Sequence, residues 1–356
     1  MAYNHTLQER YSALVDAKLR YNLIKRNGAI FNTRYEGNPK AGAVKIPVRD
    51  TEVTAAAYDA TSGAQLTAGA TNYLTVNINK DYAVNELIDN YEAAAVPDNL
   101  VADRLDSAAY SLALQMEQDA TAELESGSTP SSGITAVAAP KVNGAVTAGA
   151  TQLAIDGTTL TGKLLAGETI TIGNNTYTVA EDTAAAATNA IAVVKIVGTV
   201  KDAISDNADV TINGLTAPTS ANIYGQIVDA RTWLSANKVP TTGRFLLVSP
   251  AVYALLLKDN TYFVHATQAG DNVIASGAVG RIAGFDVFED PTLSANVHFI
   301  AGHPDWCTRV EEWQVPVHVQ DLSGSGKYIG ASAVQGRRIY AHKVTKAKAV
   351  YRKVTL

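Results

Sequence analysis

The sequence predicts an α+β protein with a β-rich segment inserted into it, and three observations lead there. Two short stretches near the N-terminal end alternate apolar and polar residues. Residues 98–126 then repeat their apolar positions every three or four residues. Beyond them, residues 135–218 change composition and break into short β-prone runs before a mixed pattern resumes.

The alternating stretches are 43–49, AVKIPVR, with Val44, Ile46 and Val48 on one face, and 73–79, YLTVNIN, with Leu74, Val76 and Ile78 on one face. A period of two is the strand period. Pro47 marks an edge strand, since proline cannot donate to a ladder. Residues 50–72 between them are mostly small or polar. Connections beyond about 15 residues are uncommon in compact domains and tend to be functional or disordered. The expectation is a long two-stranded flap. A lone hairpin is marginal in water, so the flap must lie on something, and a neighbouring subunit is one candidate.

In 98–126, Val101, Leu105, Ala108, Leu112, Met116, Ala120 and Leu124 trace one helical face. Asp98 after Pro97 is the expected N-cap and Gly127 the expected stop. At 1.5 Å per residue this helix would be roughly 40 Å long, a strut. Residues 127–133, GSTPSSG, have linker composition. The runs 151–155, 168–172, 176–179, 191–197 and 209–212 within 135–218 are expected strands, with Gly173, Asn174 and Asn175 between two of them as a hairpin loop. This segment holds four lysines against seven acids and no Trp, Phe, Met, His or Cys, which suggests a small separate β domain. Afterwards 220–236 is an expected helix, with Ile223, Ile227, Arg231 and Leu234 at helical spacing. Phe245–Ser249 is a short apolar strand, and Ser249 and Pro250 are the N-cap and first position of a further helix. From Val279 onward the pattern is mainly strand-like.

Composition narrows function. Of 356 residues, 47% are hydrophobic and 18% charged, so the chain is not disordered throughout. A net charge of -5 argues against a globally basic nucleic-acid binder. The one cysteine, Cys307, rules out an intrachain disulfide and a cysteine-rich zinc site. No apolar run is long enough for a membrane-spanning helix, and MAYNHTLQER lacks the order of a secretory signal, so a soluble protein of a reducing cytoplasm is expected. Both ends are basic. Residues 1–40 hold seven basic and three acidic residues, and residues 336–356 hold seven basic and none acidic. Such ends suit either ordinary surface scatter or a polyanion or acidic partner.

No convergent chemistry emerges. His298, His303 and Cys307 are loosely metal-like in spacing but lack a fourth ligand. Gly324–Lys327, GSGK, lacks the upstream glycine and following hydroxyl of a phosphate loop. Gly277–Gly284, GAVGRIAG, has the wrong spacing for a dinucleotide fingerprint. Asp202, Asp206 and Asp209 lack calcium-loop spacing, and Glu311–Glu312 is an ordinary acidic pair. No catalytic residue, cofactor or metal site is expected, and the chain is not expected to be an enzyme.

The order of parts carries more weight. A basic N-terminal segment, a long flap, a strut helix, a mixed domain and a basic closing strand together resemble the major capsid proteins of tailed bacteriophages, the Hong Kong 97-type coat fold. Val279–Pro291, VGRIAGFDVFEDP, is similar to a segment in which a glycine-flanked strand and turn cross the axial domain of those proteins. The end, GRRIYAHKVTKAKAVYRK (336–353), resembles their closing strand. The resemblance spans 1–134 and 219–356, and the β-rich 135–218 is an addition to it.

The resemblance implies an α+β Hong Kong 97-type fold with an N-terminal arm (1–36), an extended β-hairpin loop (37–85) and a peripheral domain with its spine helix (86–134). An inserted β-rich domain (135–218), an axial domain with the return to the peripheral domain (219–335) and a closing peripheral strand (336–356) complete it. It implies a structural subunit whose pentamers and hexamers form an icosahedral shell around double-stranded DNA, in the virion, assembled in the host bacterial cytoplasm. Scaffolding, portal and decoration proteins are the implied partners, the scaffold separate because the arm starts close to Met1. Arg20, Lys25, Arg26, Lys45, Arg49, Asp50 and Glu52 are the residues expected at subunit contacts. The alternatives are an encapsulin-type compartment shell, which genome neighbours would distinguish, and a β-rich tail-fibre or adhesin-type module, which the strut helix disfavours.

Overall fold

The structure, a computed structural model, describes residues 18, 20, 22–25, 28–35, 42–48, 58–60, 72–95, 100–258 and 280–356. The chain divides into two units. One comprises Met1–Ala120 with Cys307–Thr345, the other Thr121–Trp306 with Lys346–Leu356.

In chain order the first unit contributes β1 (Ala43–Val48), β2 (Asn72–Asn77), β3 (Lys80–Asp89), α1 (Asn90–Ala95) and most of α2 (Leu100–Gly127). β1 and β2 pair antiparallel, Val44 opposite Val76. Every foreseen apolar position of α2 is buried or half-buried, from Val101 to Leu124. At 28 residues the helix runs about 42 Å. The foreseen cap Asp98 lies outside the described residues.

In the second unit, β4 (Thr129–Pro130) leads to an inserted barrel of β5 (Ile134–Val142), β6 (Gln152–Gly162), β7 (Thr169–Ile172), β8 (Asn175–Thr178), β9 (Ala190–Lys195) and β10 (Val210–Ile212). Its strands form two three-stranded antiparallel sheets, β5-β6-β9 and β10-β7-β8. Bridges Lys141–Asp209 and Val179–Ile196 join the sheets at both edges, so the hydrogen-bonding closes on itself. Closure removes exposed strand edges. The enclosed core is built almost entirely from Ile, Val and Leu, with Tyr177 the one aromatic. That is how a segment without Trp, Phe or Met still buries a core. β5 has no clean alternation, because three register shifts interrupt its pairing with β6, and it was not foreseen.

Next come α3 (Ile223–Ala236), β11 (Arg244–Val248), α4 (Pro250–Leu257), β12 (Arg281–Ile282), β13 (Phe285–Glu289) and β14 (Val297–Gly302). The last strands are β15 (Cys307–Asp321) and β16 (Ala331–Val344) in the first unit and β17 (Val350–Val354) in the second. A six-stranded sheet runs β12-β13-β11-β14-β17-β4, with β11–β13 and β17–β4 parallel. All five residues of β11 are buried, as expected for a strand covered on both faces. Against the sheet pack Ile223, Ile227, Ala230 and Leu234 of α3, with Val252 and Leu256 of α4. Arg231, foreseen on that stripe, is exposed, and Ala230 takes its place. Ser249 caps α4 as foreseen, its Oγ accepting from the Val252 amide at 3.4 Å. In VGRIAGFDVFEDP, β12 and β13 form a hairpin around Ala283–Gly284, both at positive φ.

The closing segment 336–353 is two strands, not one. β16 joins a sheet β15-β16-β3 in the first unit, while β17 joins the six-stranded sheet of the second. The break falls at Thr345–Ala349, where the chain passes from one unit to the other.

Candidate assembly surfaces

The sheet β15-β16-β3 organises the first unit. Successive residues of a strand point to opposite faces. Val334 of β16 packs with Ile88 and Ala108, so α2 covers that face. Gly336, on the same face, lets Leu112 approach. Ala341 points the other way and packs, with Val310, under Ile46 and Val76 of the hairpin. The base of the flap therefore lies on its own subunit's sheet. Its connection is described only at 58–60, where Tyr58 is exposed.

The N-terminal segment runs along α2. Lys18 pairs with Asp103 at 2.6 Å, Arg20 with Asp106 at 2.5 Å, and Lys25 with Glu117 at 3.7 Å. Arg20 also stacks over Tyr110, 4.7 Å from its centroid. The spacing is consistent, since Lys18 to Lys25 in extended form covers about 23 Å and Asp103 to Glu117 on a helix about 21 Å. Glu117 also accepts from the amides of Ile24 and Lys25, both at 2.9 Å. Lys18 holds the Asp103 carboxyl below its ordinary range by hydrogen bonding.

This corrects one expectation. Lys25 is 1% exposed and paired inside its own chain, which removes it from the surface of the subunit. Lys45 is exposed on β1, and Arg20 keeps part of its side chain in solvent. Arg26, Arg49, Asp50 and Glu52 lie outside the described residues.

The basic C-terminal stretch also finds internal partners. Arg337 binds the carboxylate of Asp81 with two nitrogens and lies over Trp313, and Arg338 reaches Glu311 at 3.5 Å. Arg352 donates to the Glu125 carbonyl, and Lys353 to the Gly214 carbonyl at 2.8 Å. Lys18, Arg20, Lys25, Arg337 and Arg338, five of the fourteen basic residues of the two ends, thus find carboxylate partners within the chain itself.

The rejected motifs are structural here. His298 hydrogen-bonds Thr355 at 2.8 Å, and His303 bonds the Thr242 carbonyl at 3.0 Å while its Nδ1 accepts from the Asp305 amide. Cys307 is buried at the start of β15. Asp206 accepts from the Gly144 amide and Asp202 from the Asn175 side chain, as turn residues do. Among the described residues no cluster of His, Cys, Asp and Glu could hold a metal ion, and no helix is long and apolar enough to cross a membrane. The sequence reading missed Arg244. It is 2% exposed, and its guanidinium donates to the carbonyls of Pro240, Val239 and Arg231 and to Ser235 Oγ, tying the C-terminal end of α3 to β11. An arginine opening an apolar strand is the signal that could have exposed it.

What the geometry offers is contact surface. Large apolar side chains stand out on the hairpin (Tyr58, Tyr73), at one end of the three-stranded sheet (Leu87, Tyr91, Ile329) and on β15 (Trp313). Comparison with known proteins agrees. A family model described as "Phage capsid protein" matches residues 171–352, just over half of the chain, and the chain belongs to that family. No curated protein sequence matches. Among solved structures, a chain from Mycobacterium phage Che8 is similar at 16% identity and a TM-score of 0.63, covering 99% of this chain and 98% of that one. The capsid structure of cyanophage P-SCSP1u gives 13% identity and a TM-score of 0.64, covering 98% and 93%. The mature capsid of bacteriophage PhiM1 gives 12%, 0.60, 98% and 92%. The fold is the Hong Kong 97-type α+β capsid fold, and the chain is a structural, non-enzymatic major capsid protein of the phage head shell. As a capsid protein it resides in the virion.

Proposed function

We propose that shell formation rests on the arm and flap reaching neighbouring copies, with Arg20, Arg26, Lys45, Arg49, Asp50 and Glu52 among the contacts. The observation that carries this reading is the hairpin. Its base is fixed by Ile46 and Val76 on the subunit's own sheet, while Lys45, Tyr58 and Tyr73 face solvent. Exposed apolar side chains on such an extension gain burial when copies meet. Shell contacts repeat by symmetry, so modest area per contact suffices for a closed particle. The division into arm (1–36), hairpin loop (37–85), peripheral (86–134), inserted (135–218) and axial (219–335) parts belongs to the same proposal.

The enclosed cargo is double-stranded DNA, held without sequence readout, which suits a net charge of -5. A separate scaffolding protein, a portal and a decoration protein are the proposed partners, with assembly in the host bacterial cytoplasm.

Light scattering and negative-stain electron microscopy of the purified chain, with and without candidate scaffold, test the reading. Closed shells, tubes or rings are expected. Arg49→Glu is expected to lower assembly yield while leaving the melting temperature unchanged. An unchanged yield would remove the flap from the contact surface.

A further inference from the structure

The inserted barrel joins the rest of the second unit through two chain crossings, 131–133 outgoing and 213–214 returning, which are hydrogen-bonded to each other. Ser131 Oγ donates to the Gly214 carbonyl at 2.6 Å and accepts from the Val354 amide at 3.1 Å, while the Ser131 amide donates to the Arg352 carbonyl at 2.6 Å. Lys353 of β17 donates to the carbonyls of Gly214 and Asn213 at 2.8 and 3.3 Å. From the barrel side, Glu168 accepts from the Gly133 amide at 2.8 Å, the Leu165 amide at 3.1 Å and Ser132 Oγ at 3.0 Å. A Cβ at Gly214 would stand 2.3 Å from the Ser131 carbonyl oxygen, so the two crossings touch backbone to backbone. Two buried groups that can carry charge thus hold the neck, Glu168 of the barrel on the outgoing crossing and Lys353 of β17 on the returning one.

We propose that Glu168, Lys353 and the crossings 131–133 and 213–214 form a proton-sensitive clasp that sets how firmly the inserted barrel is mounted on the six-stranded sheet.

The surrounding groups fix the sign. Burial pushes the Glu168 carboxyl up to about 7, against its three donors, and the charge of Asp182 adds to the rise. Asp182 is itself held low by its hydrogen bond to Lys163, with Lys348 also nearby. Burial pulls Lys353 down to about 8, opposed by Asp229 and Glu168. Burial raises Asp229 and Tyr351 and lowers His298, which also faces the Lys353 charge. Between about pH 4.5 and 7 a closed neck keeps the proton on Glu168 whereas an opened neck releases it. Closure is therefore favoured at low pH and weakens as pH rises through that range. Lys353 acts in the opposite direction, and only above about pH 8. The clasp is loosest between those limits, where both buried groups are charged. A looser mount would let identical chains orient their barrels to unlike neighbours in a shell.

Hydrogen exchange on the full chain tests this, read at the amides of Gly133, Leu165 and Val354 and corrected for intrinsic exchange. Wild type is expected to open roughly tenfold more at pH 8 than at pH 6. Glu168→Gln keeps the shape without the titration, so that increase should vanish, with the core amides of Ile170 and Tyr177 unchanged in both. Lys353→Met removes the favourable partner of ionised Glu168 and should move the wild-type rise to higher pH. Equal pH responses in wild type and Glu168→Gln would overturn the clasp. So would no shift in Lys353→Met, or barrel-core amides loosening in step with the neck. Shell formation is not part of this readout, so its failure would leave the clasp standing.

Discussion

Lys25 and Glu117 form an ion pair with both side chains at most 1% exposed, so neither charge has water to fall back on. Removing one partner from such a pair costs far more than the pair itself contributes. Lys25→Met should therefore lower unfolding free energy by about 3 kcal/mol in denaturant titration. Lys18→Ala, at the exposed end of the same segment, should leave the midpoint unchanged at high salt. His342 makes a second residue-scale prediction. It sits against Phe31 and Tyr340, with ring centroids 4.9 and 5.4 Å away. Burial, together with Arg309, Lys80 and Lys25, holds it down to about 3. The folded chain keeps it neutral while the unfolded chain protonates it below about pH 6.5. Its share of stability is thus present above that pH and lost as pH falls toward 3. His342→Gln should flatten that acid limb in melts recorded from pH 7 to 4.

At the scale of elements, α2 is held by three unlike devices along its length. Ala108 lies on the sheet, the Asp119 carboxylate accepts from Tyr340 at 2.8 Å and Lys80 at 3.2 Å, and Glu125 accepts from Ser294 on its two oxygens. Gly336 lets Leu112 of the helix come close to the sheet. A Cβ there would stand 2.8 Å from Val317 Cγ2 and 3.1 Å from Leu112 Cδ1. Val317 Cα lies only 3.3 Å away and limits relief by side-chain rotation. Gly336→Ala should therefore destabilise the chain by roughly 1–3 kcal/mol, measured as a lower denaturant midpoint with unchanged slope. An effect near zero would mean that α2 sits more loosely on β16 than its contacts require.

For the whole molecule, the barrel core and the core under α3 and α4 are separate clusters. Their connection is the neck alone in sequence, at 131–133 and 213–214. Replacing 140–216 with a short Gly-Ser splice should leave a soluble remainder with cooperative unfolding. Complete insolubility would show that the barrel completes the core of the second unit. The remainder would lose Glu168 and Gly214 as partners of Ser131, Ser132 and Lys353, so its β17 amides should exchange faster than those of β11.

Much of this architecture was legible in the chain. The face of α2 repeats without interruption because a long helix on a sheet buries one stripe. β1, β2, β7, β8 and α4 follow local alternation, turn and capping rules that depend on neighbours in sequence. The missed elements depend on distant residues. β5 is recognisable as a strand only beside β6, because its bulges erase the alternation that would announce it. The segment 336–353 looks like one strand, since nothing local says that β16 and β17 join different sheets. The contact residues were the least legible. Lys25 and Lys45 are both lysines in the first forty-five residues, yet one is sealed against Glu117 and the other faces solvent. The sequence alone determined the types of the locally patterned elements, the inserted β segment and the absence of a recognisable catalytic motif, because periodicity and residue chemistry are local properties. Only the tertiary structure decided which charges neutralise one another, how the barrel closes and where its neck is clasped. Pairing of buried charge is set by distances between residues far apart in the chain.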